Sequence, residues 1–198
     1  MDNMAKEKVA DDGSIRRWRV MMLVILLRVL ALFATAAAAV VMALSKESRT
    51  FAVPTSGNTP VKIIMTAKFQ YSPANIMFVI TNGVATLHSL LMLSLMCFVN
   101  NKYDIKGLRF ITVTALDMVT IAVLSGAATT VAFMGELARN GNSHAHWNKF
   151  CDKFERYCDL GSGALLASSI GILLFMLVNL VNIFERGRFN PYKNPISA

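Results

Sequence analysis

Of the 198 residues, 55% are hydrophobic and only 16% are charged, against about half and about a quarter in a typical soluble domain. The apolar residues are gathered into four runs, Val20–Leu44, Ile76–Val99, Ile111–Gly135 and Leu160–Ile183, which hold 98 of the 198 residues. That distribution excludes an ordinary soluble enzyme, a disordered chain and a nucleic-acid-binding domain, although the net charge of +8 would by itself suggest acidic partners. A helix needs roughly 20 apolar residues to cross roughly 30 Å of hydrocarbon, so each run spans with room for tilt. The expected fold class is all-α, an integral membrane four-helix bundle. It has a tail over 1–19, a membrane domain over 20–183 and a tail over 184–198. The loops are too short to bury a second core.

The N-terminal tail carries Lys6, Lys8, Arg16, Arg17 and Arg19, and the last three abut the first span. The middle loop adds Lys102, Lys106 and Arg109, and the C-terminal tail adds Arg186, Arg188 and Lys193. Basic residues close to span ends mark the cytoplasmic side. Both termini are therefore expected in the cytoplasm, with the 45–75 and 136–159 loops outside. Basic tails also suit the anionic lipids of an inner leaflet. Ala34-Thr35-Ala36 resembles a signal cleavage site, but the apolar run is far longer than a 7–15-residue signal core, so the segment is expected to be retained as a span. No acceptor for N-glycosylation occurs.

Span one contains Arg28 and span three contains Asp117. A mid-membrane charge costs about 2.5–3.5 kcal/mol on insertion scales, so such residues usually face the bundle and pair. Spans one and three run in the same direction. At 1.5 Å per residue, both charges sit about 10–12 Å from the inner edge, which predicts an intramembrane ion pair. The faces agree: Arg28, Ala31, Thr35 and Ala38 share one side of the first helix, and Thr114, Asp117, Ile121, Ser125 and Ala128 one side of the third. Both faces are small or polar, as packed membrane interfaces are. Span two offers Asn82, His88 and Ser89. Span four offers a small-residue packing seam through Gly163, Ala167 and Gly171.

The first outer loop, with Pro54, Gly57 and Pro60, reads as a flexible connector. The second holds His144, His146, Trp147, Phe150, Phe154 and Tyr157 between Asn140 and Cys158. Trp147, Phe150, Phe154 and Tyr157 recur at helical spacing. That stripe would lie at the lipid headgroups or form a contact face for a partner. Cys151 and Cys158 face an oxidising compartment on this topology, so a disulfide is expected. A straight helix would hold them about 10 Å apart, beyond the roughly 7 Å limit for a bridge, so the segment must bend. Cys97 reads as a small core hydrophobe. The histidines and cysteines match no strong zinc pattern, and neither a metal nor another cofactor is expected. No nucleophile elbow, HExxH or phosphate-binding glycine loop occurs, so no enzyme is expected.

These features converge on one family. The four spans, Arg28 in the first, Asp117 in the third, Phe78-Val-Ile-Thr-Asn82 and above all Gly141-Asn-Ser-His-Ala-His-Trp-Asn-Lys-Phe-Cys-Asp152 with Phe154 and Cys158 resemble the plant Casparian strip membrane protein-like (CASP-like) family. That family is similar to MARVEL-type four-span proteins. Ser45–Ser72 lacks the loop signature of the Casparian strip proteins themselves, so the resemblance is to a CASP-like relative of the first subgroup. It implies a multi-pass plasma-membrane protein that forms homo- and hetero-oligomers, homodimers and heterodimers included, with related four-span proteins and scaffolds a membrane domain linked to cell-wall modification. The partners are then the bilayer and related chains, with no nucleic acid and no small-molecule substrate. The residues leave two other functions open: a small channel or transporter using Arg28, Asp117 and His88, and an accessory subunit of another membrane protein.

Overall fold

The computed structural model describes residues 2–53, 61–98 and 108–188. They form four long helices, α1 (Asp2–Ala43), α2 (Pro73–Phe98), α3 (Leu108–Asn140) and α4 (Glu155–Arg188), with a hairpin of β1 (Lys46–Val53) and β2 (Val61–Lys68) between α1 and α2. Within them Ser14–Ala43, Pro73–Met96, Ile111–Asn140 and Glu155–Glu185 are long and apolar enough to cross a bilayer. α1 and α2 begin before the apolar runs that predict them, and α3 and α4 extend past theirs at both ends, because run ends mark hydrocarbon limits and not helix ends. Pro73, expected just outside span two, is the first residue of α2, where its fixed φ suits a helix start and its missing N–H costs nothing.

α1 packs on α2 and α4, and α3 packs on the same two helices, so α1 and α3 stand on a diagonal. The buried faces follow the expected periodicity. Arg28, Ala31, Thr35, Ala38 and Met42 are sequestered on α1. Toward the hairpin end, Ala38, Met42, Phe78, Ala128, Val131 and Ala164 form one core cluster; deeper, Ala31, Ala85, Leu124 and Phe175 form another. Most large apolar side chains, such as Phe33, Leu87 and Leu166, are exposed on the outer surface of the bundle, as hydrocarbon-facing residues must be. At the opposite end an Arg16–Glu185 pair at 2.9 Å joins α1 to α4. Exposed pairs of this kind stabilise by about 0–1 kcal/mol.

The 45–75 stretch departs from the flexible connector expected. Lys46–Val53 and Val61–Lys68 pair antiparallel in continuous register, from Lys46 opposite Lys68 to Val53 opposite Val61. Both are eight residues long, and the Val, Ile, Thr and Phe they carry favour a pleated strand. The prolines and glycine that suggested a loop fall between the strands, where Pro54, Gly57 and Pro60 lie outside the described residues, as do the middle-loop Lys102 and Lys106 and the C-terminal Lys193.

The 136–159 loop also differs from a continuous aromatic helix face. α3 ends at Gly141, whose φ of +69° is left-handed and whose N–H reaches Leu137 O at 2.9 Å, the usual glycine helix stop. The chain then turns back. Asn142 and Trp147 exchange backbone hydrogen bonds, and the Phe150 and Cys151 N–H groups both donate to Ala138 O. Only Tyr157 of the aromatic set lies in a helix. A Cβ on Gly141 would sit 2.6 Å from Trp147 O. Gly141→Ala is therefore expected to destabilise by at least about 1–2 kcal/mol, the usual cost of left-handed backbone for an L residue. A lowered thermal midpoint of the detergent-solubilised chain reads it directly.

Candidate functional site: the intramembrane charge cluster and the folded cap

Arg28 and Asp117 meet across the diagonal of the bundle. The guanidinium is bidentate: Nη1 donates to Asp117 Oδ1 at 3.1 Å and Nη2 to Oδ2 at 2.5 Å. Both side chains have 0% exposure. His88 on α2 completes the cluster, with Nε2 2.7 Å from Asp117 Oδ1. A carboxylate only accepts, so Nε2 carries the proton and donates. The imidazole also lies 6.3 Å from the Phe175 ring of α4. α1, α2 and α3 therefore meet at one carboxylate, and α4 lies against the imidazole. Closer to the hairpin, Thr35 and Thr86 hydroxyls lie 3.0 Å apart and tie α1 to α2.

The packing seam on α4 is offset from the one expected. Gly171 is in it, since a Cβ there would lie 2.8 Å from Thr35 Cγ2. Ala167 is partly buried against the core. Gly163 is exposed, with nothing near its Cβ position. The buried line runs instead through Ala164, Ser168, Gly171 and Phe175, because α4 is rotated to carry Phe175 and Gly171 under α1.

Beyond the spans, the hairpin, the disulfide loop and the start of α4 fold into one cap. Cys151 and Cys158 are bonded, with Cα atoms 5.7 Å apart. Cys151 precedes α4 and Cys158 lies in its first turn, which supplies the bend that a bridge requires. The aromatic residues split between two roles. Phe154 is 2% exposed and cannot belong to an outer contact face; it stacks on Phe150 at 4.7 Å and meets Phe51 of β1 edge-on at 6.1 Å. Tyr157 contacts Phe150 and accepts a hydrogen bond from Asn75 Nδ2 at 2.8 Å. Trp147, His144 and His146 are exposed. Among the described residues no three of His, Cys, Asp and Glu are clustered as a metal site.

Glu47 is the residue that sequence reasoning missed. It is 8% exposed. Its carboxylate accepts from the Tyr157 backbone N–H at 3.0 Å and from Arg49 Nε at 2.7 Å. An unpaired N–H in the first turn of α4 is thereby satisfied from a strand 110 residues away, and the positive end of the helix favours the charge. Burial pushes the Glu47 carboxyl up, but the Tyr157 N–H, Arg49 and Arg156 outweigh it and hold the group below its ordinary value of 4.5.

Comparison with known proteins agrees with the class that this geometry defines, a four-span membrane protein with a folded cap. Residues 17–174 match the family model of the Casparian strip membrane protein domain. The chain is 51% identical over 171 residues to CASP-like protein 1B1 of Populus trichocarpa, covering 86% of this chain and 85% of that one. It is 51% identical over 154 residues to CASP-like protein 1B1 of Ricinus communis, covering 78% and 75%. It is 45% identical over 181 residues to CASP-like protein 1B2 of Arabidopsis thaliana, covering 91% and 90%. No solved structure matches. The protein belongs to the CASP-like family of multi-pass membrane proteins.

Two outcomes are expected from this geometry. Asp117→Ala leaves Arg28 buried without a counter-charge and should destabilise by about 3–5 kcal/mol. The exchange Arg28→Asp with Asp117→Arg should recover part of that loss, read by thermal unfolding in detergent. A group whose folded pKa is depressed stabilises above its unfolded value and loses that contribution as pH falls through the folded value. Docking of the hairpin should therefore hold from pH 7 to 5 and weaken below about 4.5. Hydrogen exchange at the Tyr157 amide would show this, and Glu47→Gln, which keeps an acceptor oxygen but cannot ionise, should remove the pH dependence.

Proposed function

We propose that this protein is a non-enzymatic scaffold of the plasma membrane. It assembles with copies of itself and with related four-span proteins into a membrane domain linked to cell-wall modification. Both termini are cytoplasmic and the cap faces the wall. The observation that carries this reading is the cap itself. It is one folded unit, tied by Glu47, the aromatic cluster and the disulfide, and it presents large apolar side chains outward. Ile64 is 72% exposed and Trp147 57%, with Ile63 and Met65 beside Ile64 on β2. Exposed apolar patches on ordered surfaces mark interaction sites, and the outer edges of a two-strand hairpin are open to further pairing. In fluorescence recovery after photobleaching, a tagged copy in plant plasma membrane should recover slowly within defined patches. Trp147→Ala, Ile64→Ser and Cys151→Ser should speed recovery or disperse the patches while the bundle still inserts. Fast, uniform recovery of the unaltered protein would remove the scaffold reading.

A second reading, movement of a proton or ion through Arg28, Asp117 and His88, is favoured by one feature. Buried polar atoms without protein partners run along the interior, among them Asn82 Oδ1, Ser89 Oγ, Ser168 Oγ and the Asn179 amide. Against it, both Asp117 oxygens are already committed to partners. Asp117→Asn separates the two readings in liposomes: loss of a measurable flux with an intact fold supports transport, and no flux in the unaltered protein supports the scaffold.

A further inference from the structure

A cavity of about 870 Å³ opens beneath the cap, within the size range of small-molecule sites. The start of α2 and the end of β2 form one side. The end of α3 and the start of α4 form the other, and the 147–151 loop covers the top. Its walls carry apolar side chains, Leu137 on α3 near the mouth and, deeper, Val131 on α3 and Leu165 on α4. Its rim holds Lys68, Arg139 and Trp147.

Depth identifies the kind of occupant. Val131 and Arg139 both lie in the Ile111–Asn140 span, eight residues or about 12 Å apart along the helix axis. With the hydrocarbon limit at Gly135, the cavity reaches about 6 Å inside that limit to Val131 and about 6 Å outside it to Arg139, so it straddles the polar boundary, where a lipid carries its headgroup, its glycerol and the first carbons of its chain. Charge identifies the headgroup. The rim carries Lys68 and Arg139 against one carboxylate, Glu136, which already accepts from Asn140 Nδ2. On the far side of the disulfide, a second depression shares Arg139, Cys151 and Cys158 with the first and is otherwise lined by Asp152, Glu155 and Asp159. Cations at the lip followed by carboxylates just beyond it match a phosphate followed by an ammonium.

We propose that this cavity seats one zwitterionic glycerophospholipid. The first carbons of its chain lie against Val131 and Leu165, its phosphate against Lys68 and Arg139, and its ammonium group over Asp152, Glu155 and Asp159. The seat is separate from the Arg28–Asp117 cluster and does not depend on the scaffold reading.

The chain has two tryptophans, Trp18 and Trp147. In a Trp18→Phe background, Trp147 on the cavity rim reports its own lipid neighbours. The full chain is reconstituted in phosphatidylglycerol vesicles containing 10 mol% of either dibromostearoyl phosphatidylcholine or dibromostearoyl phosphatidylglycerol. Quenching by the brominated choline lipid should exceed that by the brominated glycerol lipid about threefold or more. Gly161 lines the cavity and a Cβ there meets nothing within 4 Å, so Gly161→Leu fills the seat at little cost to the fold and should equalise the two lipids. Gly163 is equally open but outside the cavity, so Gly163→Leu should keep the preference. Asp159→Asn with Glu155→Gln should weaken it. Equal quenching by both lipids, a preference for the glycerol lipid, or a preference unchanged by Gly161→Leu would each overturn the proposal. So would a Trp147 shielded from both lipids whose crosslinking to a second copy is changed by Gly161→Leu, since a protein contact would then fill the cavity.

Discussion

A guanidinium and a carboxylate held in the hydrocarbon of a membrane cannot be left apart. Moving either ion alone out of water costs several kcal/mol even after relaxation, and only close, bidentate pairing repays it. Arg28 and Asp117 satisfy that condition with both side chains fully buried, and the requirement constrains the whole bundle. α1 and α3 must run parallel, reach the same depth and face one another across the diagonal. α2 must bring His88 to the remaining lone pair of the carboxylate, and α4 must close the site with Phe175. A helix shifted by one turn, about 5.4 Å, would separate the charges. The pair therefore specifies the register of the bundle, a role that does not require it to contribute net stability over an apolar substitute.

Close approach around the pair depends on small side chains. Ala31, Ala38 and Ala85 have no exposed surface, and Gly171 leaves space that the Thr35 methyl occupies. In a bilayer the lipid is as apolar as the helices, so association rests on van der Waals fit and interhelical hydrogen bonds. The Thr35–Thr86 contact and the Arg28–Asp117–His88 cluster supply the second, and the alanine and glycine line supplies the first. Outside the hydrocarbon the logic changes. The cap has few residues from which to build a core, and it uses a disulfide, an aromatic cluster and one buried carboxylate instead. Glu47 matters there as Asp117 does in the bundle, since each gathers donors from elements far apart in the chain.

The parts of this arrangement that were legible in sequence depended on periodicity and on anomaly. Four apolar runs gave four spans. A charge where none belongs identified Arg28 and Asp117, and equal depth on parallel helices paired them. The hairpin was hidden because Pro54, Gly57 and Pro60 dominate the impression of the loop, although two eight-residue runs rich in Val, Ile, Thr and Phe flank them. The aromatic stripe was misread because three- and four-residue spacing describes a helix only where the backbone continues, and Gly141 stops α3 while the α4 helix begins only at Glu155. Glu47 left no local signal. Its partner is a backbone N–H 110 residues away, and no pattern of side chains announces a main-chain donor. The α4 seam was displaced because small residues occur on both sides of that helix at Gly163, Ala164, Ala167 and Gly171, and only the packed neighbours select among them.

The distribution of apolar surface bears on what the bundle is for. Along the spans, exposed Phe33, Leu87 and Leu166 need no partner other than lipid tails. The hairpin is different. Ile63, Ile64 and Met65 lie on a strand beyond the end of α1, in a ladder that runs from Lys46–Lys68 at the bundle to Val53–Val61 away from it. At about 3.3 Å per residue, Ile64 stands roughly 13 Å along the strand from Lys68, outside the four membrane-spanning helices. Burying such residues against another surface is favourable at about 25 cal/mol per Å², whereas exposing them to water carries the opposite cost. A rigid cap holds them outward, by the Glu47 contact, the Phe51–Phe154 packing and the Cys151–Cys158 bond, and it is on this feature that the proposed assembly with a neighbouring protein rests.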